Sequence, residues 1–243
     1  MKGYAERFYR DFSPSGRWVS FRVKAETSDL FIRAERDLTD NVRPLLEELR
    51  GDILRHIEIR PDFLTSLDPL EGGDGEAEVI RRMYEASRRA GVGPMAAVAG
   101  AIAECLGEAL SPLSRELIIE NGGDIWLRLE EPAAISIYAG LSRFSGKLGL
   151  RVRPEQTPLG LCTSSGRVGH SLSLGRADAA TVLSRSASLA DAVATAAGNR
   201  VRSEKDIAPA LEWAREIPEV TGVLILLGDS LGALGDIELT ETG

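Results

Sequence analysis

Asp191 and Thr195 stand four residues apart in Asp191-Ala192-Val193-Ala194-Thr195. On a helix this spacing puts a carboxylate and a hydroxyl on one face, where both oxygens can share a hard cation such as magnesium. The segment has a second reading. Ser188-Leu189-Ala190-Asp191 has the form of a capping box, with Ser188 as the N-cap and Asp191 reaching back to it. On spacing alone the cap is the commoner of the two.

Asn121-Gly122-Gly123-Asp124 lies between two strand-like runs. Asn-Gly there suits a tight hairpin turn, and the glycines also let the backbone approach a ligand while Asp124 points into a site. Thr163-Ser164-Ser165-Gly166 follows a strand-like run and clusters three hydroxyls and a glycine, as a phosphate or oxyanion cradle does and as an ordinary polar turn also does. His170 follows Gly169 in a polar stretch, and an imidazole titrating near neutrality suits proton transfer. His56, the other histidine, falls within an amphipathic helix pattern.

Two motif matches fail on context. Gly91-Val92-Gly93-Pro94-Met95-Ala96 meets the letter of a dinucleotide fingerprint, but the preceding residues read as helix where a strand is required. Gly91 ending one helix and Pro94 opening the next explains the run better, and N–H groups at the helix start after Gly93 remain a candidate phosphate seat. Gly169-His170-Ser171-Leu172-Ser173 lacks the second glycine of a nucleophile elbow, which excludes that class of serine hydrolase.

These residues must be positioned by elements that periodicity makes legible. Trp18–Lys24 alternates and pairs with Leu30–Ala34 as an opening hairpin. Val42, Leu45, Leu46, Leu49, Ile53 and Ile57 predict a long amphipathic helix over Asn41–Ile59. Helices follow over Glu76–Ala90 and Met95–Leu106, the latter rich in small residues and expected to be buried. Strands are predicted at Leu117–Glu120, Asp124–Arg128, Ile135–Ala139, Leu148–Arg153, Leu159–Thr163 and Asp178–Leu183. A helix over Ser188–Ala197, another over Ile207–Arg215, and strands at Val220–Leu227 and Asp236–Leu239 complete the chain. Helices and strands come in clusters, which predicts an α+β fold, and no linker composition divides residues 1–243, which predicts a single domain.

With 37 acidic and 29 basic residues the chain carries a formal charge of -8, which argues against a nucleic-acid surface. Cys105 and Cys162 form neither a disulfide framework nor a metal spacing and read as reduced structural thiols. The amino terminus has no signal-peptide core and no apolar stretch is long enough to span a bilayer, so the expectation is a cytoplasmic protein without a membrane partner.

Taken in order, these segments resemble the ApbE flavin-transferase superfamily. Its members carry a helix with A-K-G-[YW], an N-x-G-G-D hairpin, an A-T-S-G strand end, an H-x-x-D-P segment and a D-A-x-x-T helix. The corresponding stretches are Val98-Ala99-Gly100-Ala101, Glu120-Asn121-Gly122-Gly123-Asp124, Cys162-Thr163-Ser164-Ser165-Gly166, His170 onward and Asp191–Thr195. A cytosolic ApbE-like branch is more similar still, through Gly93–Glu104, Glu120–Ile125, Thr163–Ser171 and Ala190–Ala196.

The resemblance implies a T-fold-like domain with a mixed or antiparallel sheet and helices packed on it. It implies FAD or FMN as ligand, magnesium held by Asp191, Thr195 and the backbone carbonyl near Val98, and attachment of FMN through a phosphoester to a target threonine. Gly93, Asn121, Gly122, Gly123, Asp124, Thr163, Ser164 and Ser165 are then the nucleotide-binding candidates and His170 the catalytic one. A small-molecule nucleotide is the expected partner, and a homodimer is compatible with the family. Three departures bear on the reaction: Ala99 occupies the lysine position, Glu120 the first hairpin asparagine, and no Asp-Pro follows His170. The expectation is therefore a flavin- or nucleotide-binding protein with magnesium-dependent transferase or slow pyrophosphate chemistry. The alternative is a non-enzymatic binding or assembly protein on the same scaffold.

Overall fold

The computed structural model describes residues 16–72, 75–139, 142, 144–165 and 175–242. The chain opens with the antiparallel hairpin β1 (Val19–Ala25) and β2 (Ser28–Ala34), paired Val19 with Ala34 through Ala25 with Ser28. Helix α1 (Thr39–Ile59) buries Val42, Leu46 and Ile53 on the face that the apolar spacing marked out. A single helical turn, α2 (Asp62–Thr65), follows, then α3 (Glu78–Ala90), which ends at Gly91 in a left-handed conformation.

Sequence periodicity reads one helix over Met95–Leu106, and the structure divides it. Pro94–Ala97 forms a 3-10 turn, and α4 (Val98–Leu110) begins only after Ala97. The cause is a backbone approach: a Cβ on Gly93 would stand 1.8 Å from the Ser66 carbonyl oxygen, so the chain is pinned there before the α-helix can start.

Strands β3 (Leu117–Asn121), β4 (Asp124–Arg128), β5 (Ala133–Ser136), β6 (Leu148–Val152), β7 (Leu159–Ser164) and β8 (Ala179–Ser184) precede helices α5 (Ala187–Arg200) and α6 (Ile207–Glu216). The chain then forms β9 (Val220–Leu227), β10 (Ser230–Gly235) and β11 (Leu239–Glu241). The expected strand at Asp236–Leu239 is replaced by β10 and β11. Ile237 packs as an isolated apolar contact between them rather than as part of a strand.

Eight strands form one sheet in the order β1-β2-β3-β4-β7-β8-β9-β10, and β11-β6-β5 form a second. Every pairing among the described strands is antiparallel. The large sheet is covered on both faces, which is why its central strands are apolar runs rather than alternating ones. Val223 and Ile225 of β9 join the helix-side core, whereas Leu224 and Leu226 join the core shared with the small sheet. The architecture is α+β, with helices on one face of an antiparallel sheet and three strands on the other. No single helix among the described residues is long and apolar enough to cross a membrane.

Candidate functional site

The first amides of a helix need acceptors that the helix itself cannot provide. At the start of α4 the N-cap is Ala97, which has no side-chain acceptor. Asp191 of α5 fills the gap: Gly100 N–H donates to its Oδ2 at 2.9 Å, and the Ala99 N–H also hydrogen-bonds the carboxylate. The helices can come this close because residue 100 is glycine. A Cβ there would lie 2.2 Å from the Ala187 carbonyl oxygen and 2.8 Å from the Asp191 Cβ.

This arrangement corrects the capping-box expectation. The N-cap of α5 is Ser186, whose Oγ accepts from Leu189 N–H at 3.2 Å. The helix starts before Ser188 because Ala187 is small enough to be buried against β7 and α4, a packing constraint that a local motif does not encode. Asp191 consequently caps the neighbouring helix rather than its own.

The hairpin joins the same point. Gly122 and Gly123 turn with φ of 76° and 110°, and Asn121 pairs with Asp124 across β3 and β4. Asn121 Nδ2 donates to the Ala99 carbonyl at 3.3 Å, and Gly123 N–H donates to Glu120 Oε1 at 3.1 Å. Asp124 Oδ1 accepts from Thr163 N–H at 3.3 Å, tying the turn to the end of β7. The Thr163 hydroxyl is engaged with the Thr181 hydroxyl at 2.9 Å.

Two carboxylates, Asp191 and Asp124, interact here. Burial, and then the neighbouring charge of Asp124, push the Asp191 carboxyl well above its usual range, against the lowering effect of the Gly100 and Ala99 amides. Burial also pushes the Cys162 thiol up, helped by Asp124 and Asp191, so Cys162 is a core thiol and not a nucleophile. Among the described residues no group of three or more His, Cys, Asp or Glu side chains surrounds a metal position. An all-protein cage is therefore absent from the described residues, but one or two carboxylates completed by phosphate and water is the usual magnesium arrangement.

The structure links Asp191 and Asn121 directly to the Ala99-Gly100 start of α4, and Asp124, whose charge acts on Asp191, ties the Gly122–Gly123 turn to Thr163. Thr195 lies one turn beyond Asp191, half-buried, and Val98 is half-buried as the first residue of α4. Ser164 Oγ faces α5 and would be 4.0 Å from a Cβ on Gly198, and Ser165 is half-buried next to it. Gly93 is not part of this group: it packs on the Ser66–Leu67 backbone. At the turn that follows it, the Ala96 N–H bonds the Gly93 carbonyl, and the Ala99 and Gly100 N–H groups bond Asp191. His170 and Gly166 lie outside the described residues.

One participant escaped the sequence reading. Glu104 of α4 is buried and binds the start of α5, with Ser188 N–H donating to its Oε2 at 2.9 Å. The signal was available: Glu104 is the lone acid in the small-residue run Met95–Leu106, which was itself expected to be buried. A separate groove of about 670 Å³ opens at the far end of α4, lined by Glu108, Ser111, Trp126, Arg128, Pro154 and Pro158, and shares no residue with the Asp191 cluster.

A profile of the family described as AbpE bacteria matches residues 10–229. UPF0280 protein MJ1526 of Methanocaldococcus jannaschii is 39% identical over 232 residues, covering 93% of this chain and 94% of the relative. A UPF0280 protein of Methanocella arvoryzae is 45% identical over 188 residues, 77% of this chain and 76% of its own length. Among solved structures, the apo flavinyl transferase ApbE of Pseudomonas stutzeri superposes with a TM-score of 0.59 at 13% identity, covering 90% of this chain and 94% of that one. Flavin transferase ApbE from Vibrio cholerae gives 0.59 at 12% identity, with 90% and 96% covered. At such identities the structural likeness establishes the fold, while the profile and the curated relatives establish descent: the chain belongs to the AbpE bacteria family.

Proposed function

We propose that this protein binds a flavin nucleotide, or a related nucleotide pyrophosphate, beside the start of α4, with magnesium held by Asp191, Thr195 and the Val98 carbonyl. The observation that carries the reading is the buried Asp191 carboxylate, which accepts the Gly100 N–H at the start of α4 and has the charge of Asp124 beside it. Such a pair is a poor structural cap and a good seat for a divalent ion. When bound, the ion would act as a Lewis acid on a bridging phosphate.

The chain's own groups support this arrangement in definite ways. Asn121 fixes the Ala99 carbonyl, which keeps the first turn of α4 rigid beside Val98. Asp124 and the Thr163 N–H lock the glycine turn against β7, so that the Gly122–Gly123 backbone can lie close to a ligand. In the reaction proposed, one P–O bond of the pyrophosphate breaks and one forms to water or an acceptor hydroxyl. The mononucleotide leaves, and the acceptor's proton passes to a base.

Ala99 in place of the family's lysine removes a cation that could hold the phosphates, and no Asp-Pro follows His170. We therefore assign binding and slow pyrophosphate cleavage ahead of efficient FMN transfer. Incubation with FAD, magnesium and a flavoprotein target domain, followed by intact-mass analysis, tests this ordering. Little or no FMN adduct is expected, and rapid, stoichiometric modification of the target overturns it. A second reading, a non-enzymatic binder, draws on the amide bonds that Asp191 already makes, because these satisfy the carboxylate in part without a metal.

A further inference from the structure

Glu104 projects from α4 one turn after Gly100 and is 7% exposed. Its Oε2 accepts from Ser188 N–H at 2.9 Å, Ser188 Oγ at 3.0 Å and Ser186 Oγ at 3.1 Å. Its Oε1 stands 3.0 Å from Arg82 of α3, which also bridges Glu78 and Glu108 on the helix surface. Three helices thus meet on one carboxylate. Burying an ionised group is expensive, and an apolar side chain would fill this space at lower cost.

Helices α4 and α5 exchange carboxylates. Asp191 of α5 takes the amides at the start of α4, and Glu104 of α4 takes the amide and hydroxyls at the start of α5. The two clasps are four residues apart along α4, at Gly100 and Glu104, and three apart along α5, at Ser188 and Asp191. Together they fix both the rotation and the slide of α5, where either one alone would leave a pivot. If Asp191 turns from the α4 amides toward a cation, the Glu104 clasp is the one that remains.

From this geometry we infer that Glu104 is a positioning residue for the Asp191 site, holding α5 in register so that Asp191 and Thr195 face Val98 at ligating distance. The inference rests on the proposed magnesium and nucleotide site. Arg82 supplies the counter-charge that keeps Glu104 in place from behind, and Ser186 and Ser188 are the points of attachment. Glu104 touches neither ligand nor metal in this arrangement. Its effect passes through the helix.

The test uses calorimetric titration of FAD in the presence and absence of magnesium on the full chain, at a temperature where circular dichroism shows each variant fully folded. In Glu104→Gln an amide NH2 must face either Arg82 or the α5 donors, and magnesium-dependent FAD affinity is expected to fall by ~10-fold or more, the usual effect of losing a partner that orients a metal ligand. Ser188→Ala, a milder change, is expected to weaken affinity in the same direction. A residue that only stabilises the fold leaves the affinity of fully folded protein unchanged, so unchanged affinity in both variants overturns the inference. Asp191→Ala separates this from failure of the site itself. Loss of magnesium dependence in Asp191→Ala with none in the Glu104 and Ser188 variants leaves the site standing and removes the positioning role. No magnesium-dependent binding in the unaltered chain removes both.

Discussion

At the scale of the residue, a buried carboxylate beside another carboxylate persists either by holding a proton or by meeting a cation. Burial and Asp124 place the folded-state pKa of Asp191 above its ordinary 3.8. The folded protein therefore holds that proton more tightly than the unfolded chain does. The associated stability is complete below the unfolded value and is lost as pH rises through the folded one. As pH rises above 3.8, metal-free protein is expected to lose thermal stability more steeply than Asp191→Asn does, because the variant has no such proton to lose. Parallel melting-temperature profiles for the two proteins would show that Asp191 is not the titrating group. The cap itself is a separate matter: Ser186→Ala is expected to cost ~1 kcal/mol in denaturant unfolding through loss of the α5 N-cap. Sequence alone placed Asp191 and Thr195 on one helical face, since spacing decides that. It assigned the cap to Ser188, because the acceptor of the Ser188 N–H is Glu104, 84 residues away.

Element boundaries were legible where a local residue type sets them. The Gly91 stop of α3 and the β1–β2 hairpin follow from turn chemistry and alternation, and so does a turn between β3 and β4, although the structure centres it on Gly122–Gly123, one residue later than the expected Asn-Gly pair. The late start of α4 did not, since it depends on Gly93 meeting the Ser66 carbonyl across the fold. β10 was missed for a similar reason. Ser230–Gly235 is a mostly exposed edge strand with one internal glycine and another at its end, and it is ordered by its pairing with β9 rather than by its own propensity. Close approach of α4 to α5 gives a prediction at this scale. Gly100→Ala introduces a Cβ 2.2 Å from the Ala187 carbonyl oxygen, so the helices must separate. Destabilisation of roughly 1–3 kcal/mol by urea unfolding is expected, typical of overpacking a tight contact. A variant as stable as the unaltered chain would mean that the helices are not held at this distance.

For the whole molecule, a buried acid just before β3 ties segments far apart in the chain together. Glu116 accepts from Arg17 Nε at 2.7 Å, Trp18 Nε1 at 3.0 Å and the Glu130 and Glu131 N–H groups at 2.8 and 3.2 Å. Burial alone would raise its carboxyl, but the hydrogen bonds from Arg17 and from those two amides outweigh it and hold the group down at about 2. A depressed folded pKa contributes stability above the ordinary value of 4.5, and that contribution disappears as pH falls through about 2. Acid unfolding of Glu116→Gln is expected to be less steep over that window, and an unchanged acid transition would contradict it. The fold class was legible because clustered helices and strands imply helices on an antiparallel sheet, and the motif order from Val98 to Thr195 carried the family. The reaction was not, since the lysine and Asp-Pro departures remove groups without naming replacements. The central claim, a magnesium-assisted nucleotide site at Asp191, is tested most directly by calorimetric titration of FAD with and without magnesium, on the unaltered chain and on Asp191→Ala. Saturable binding that strengthens with magnesium and loses that dependence in Asp191→Ala is the predicted result; binding that is absent, or indifferent to both magnesium and Asp191, contradicts the account.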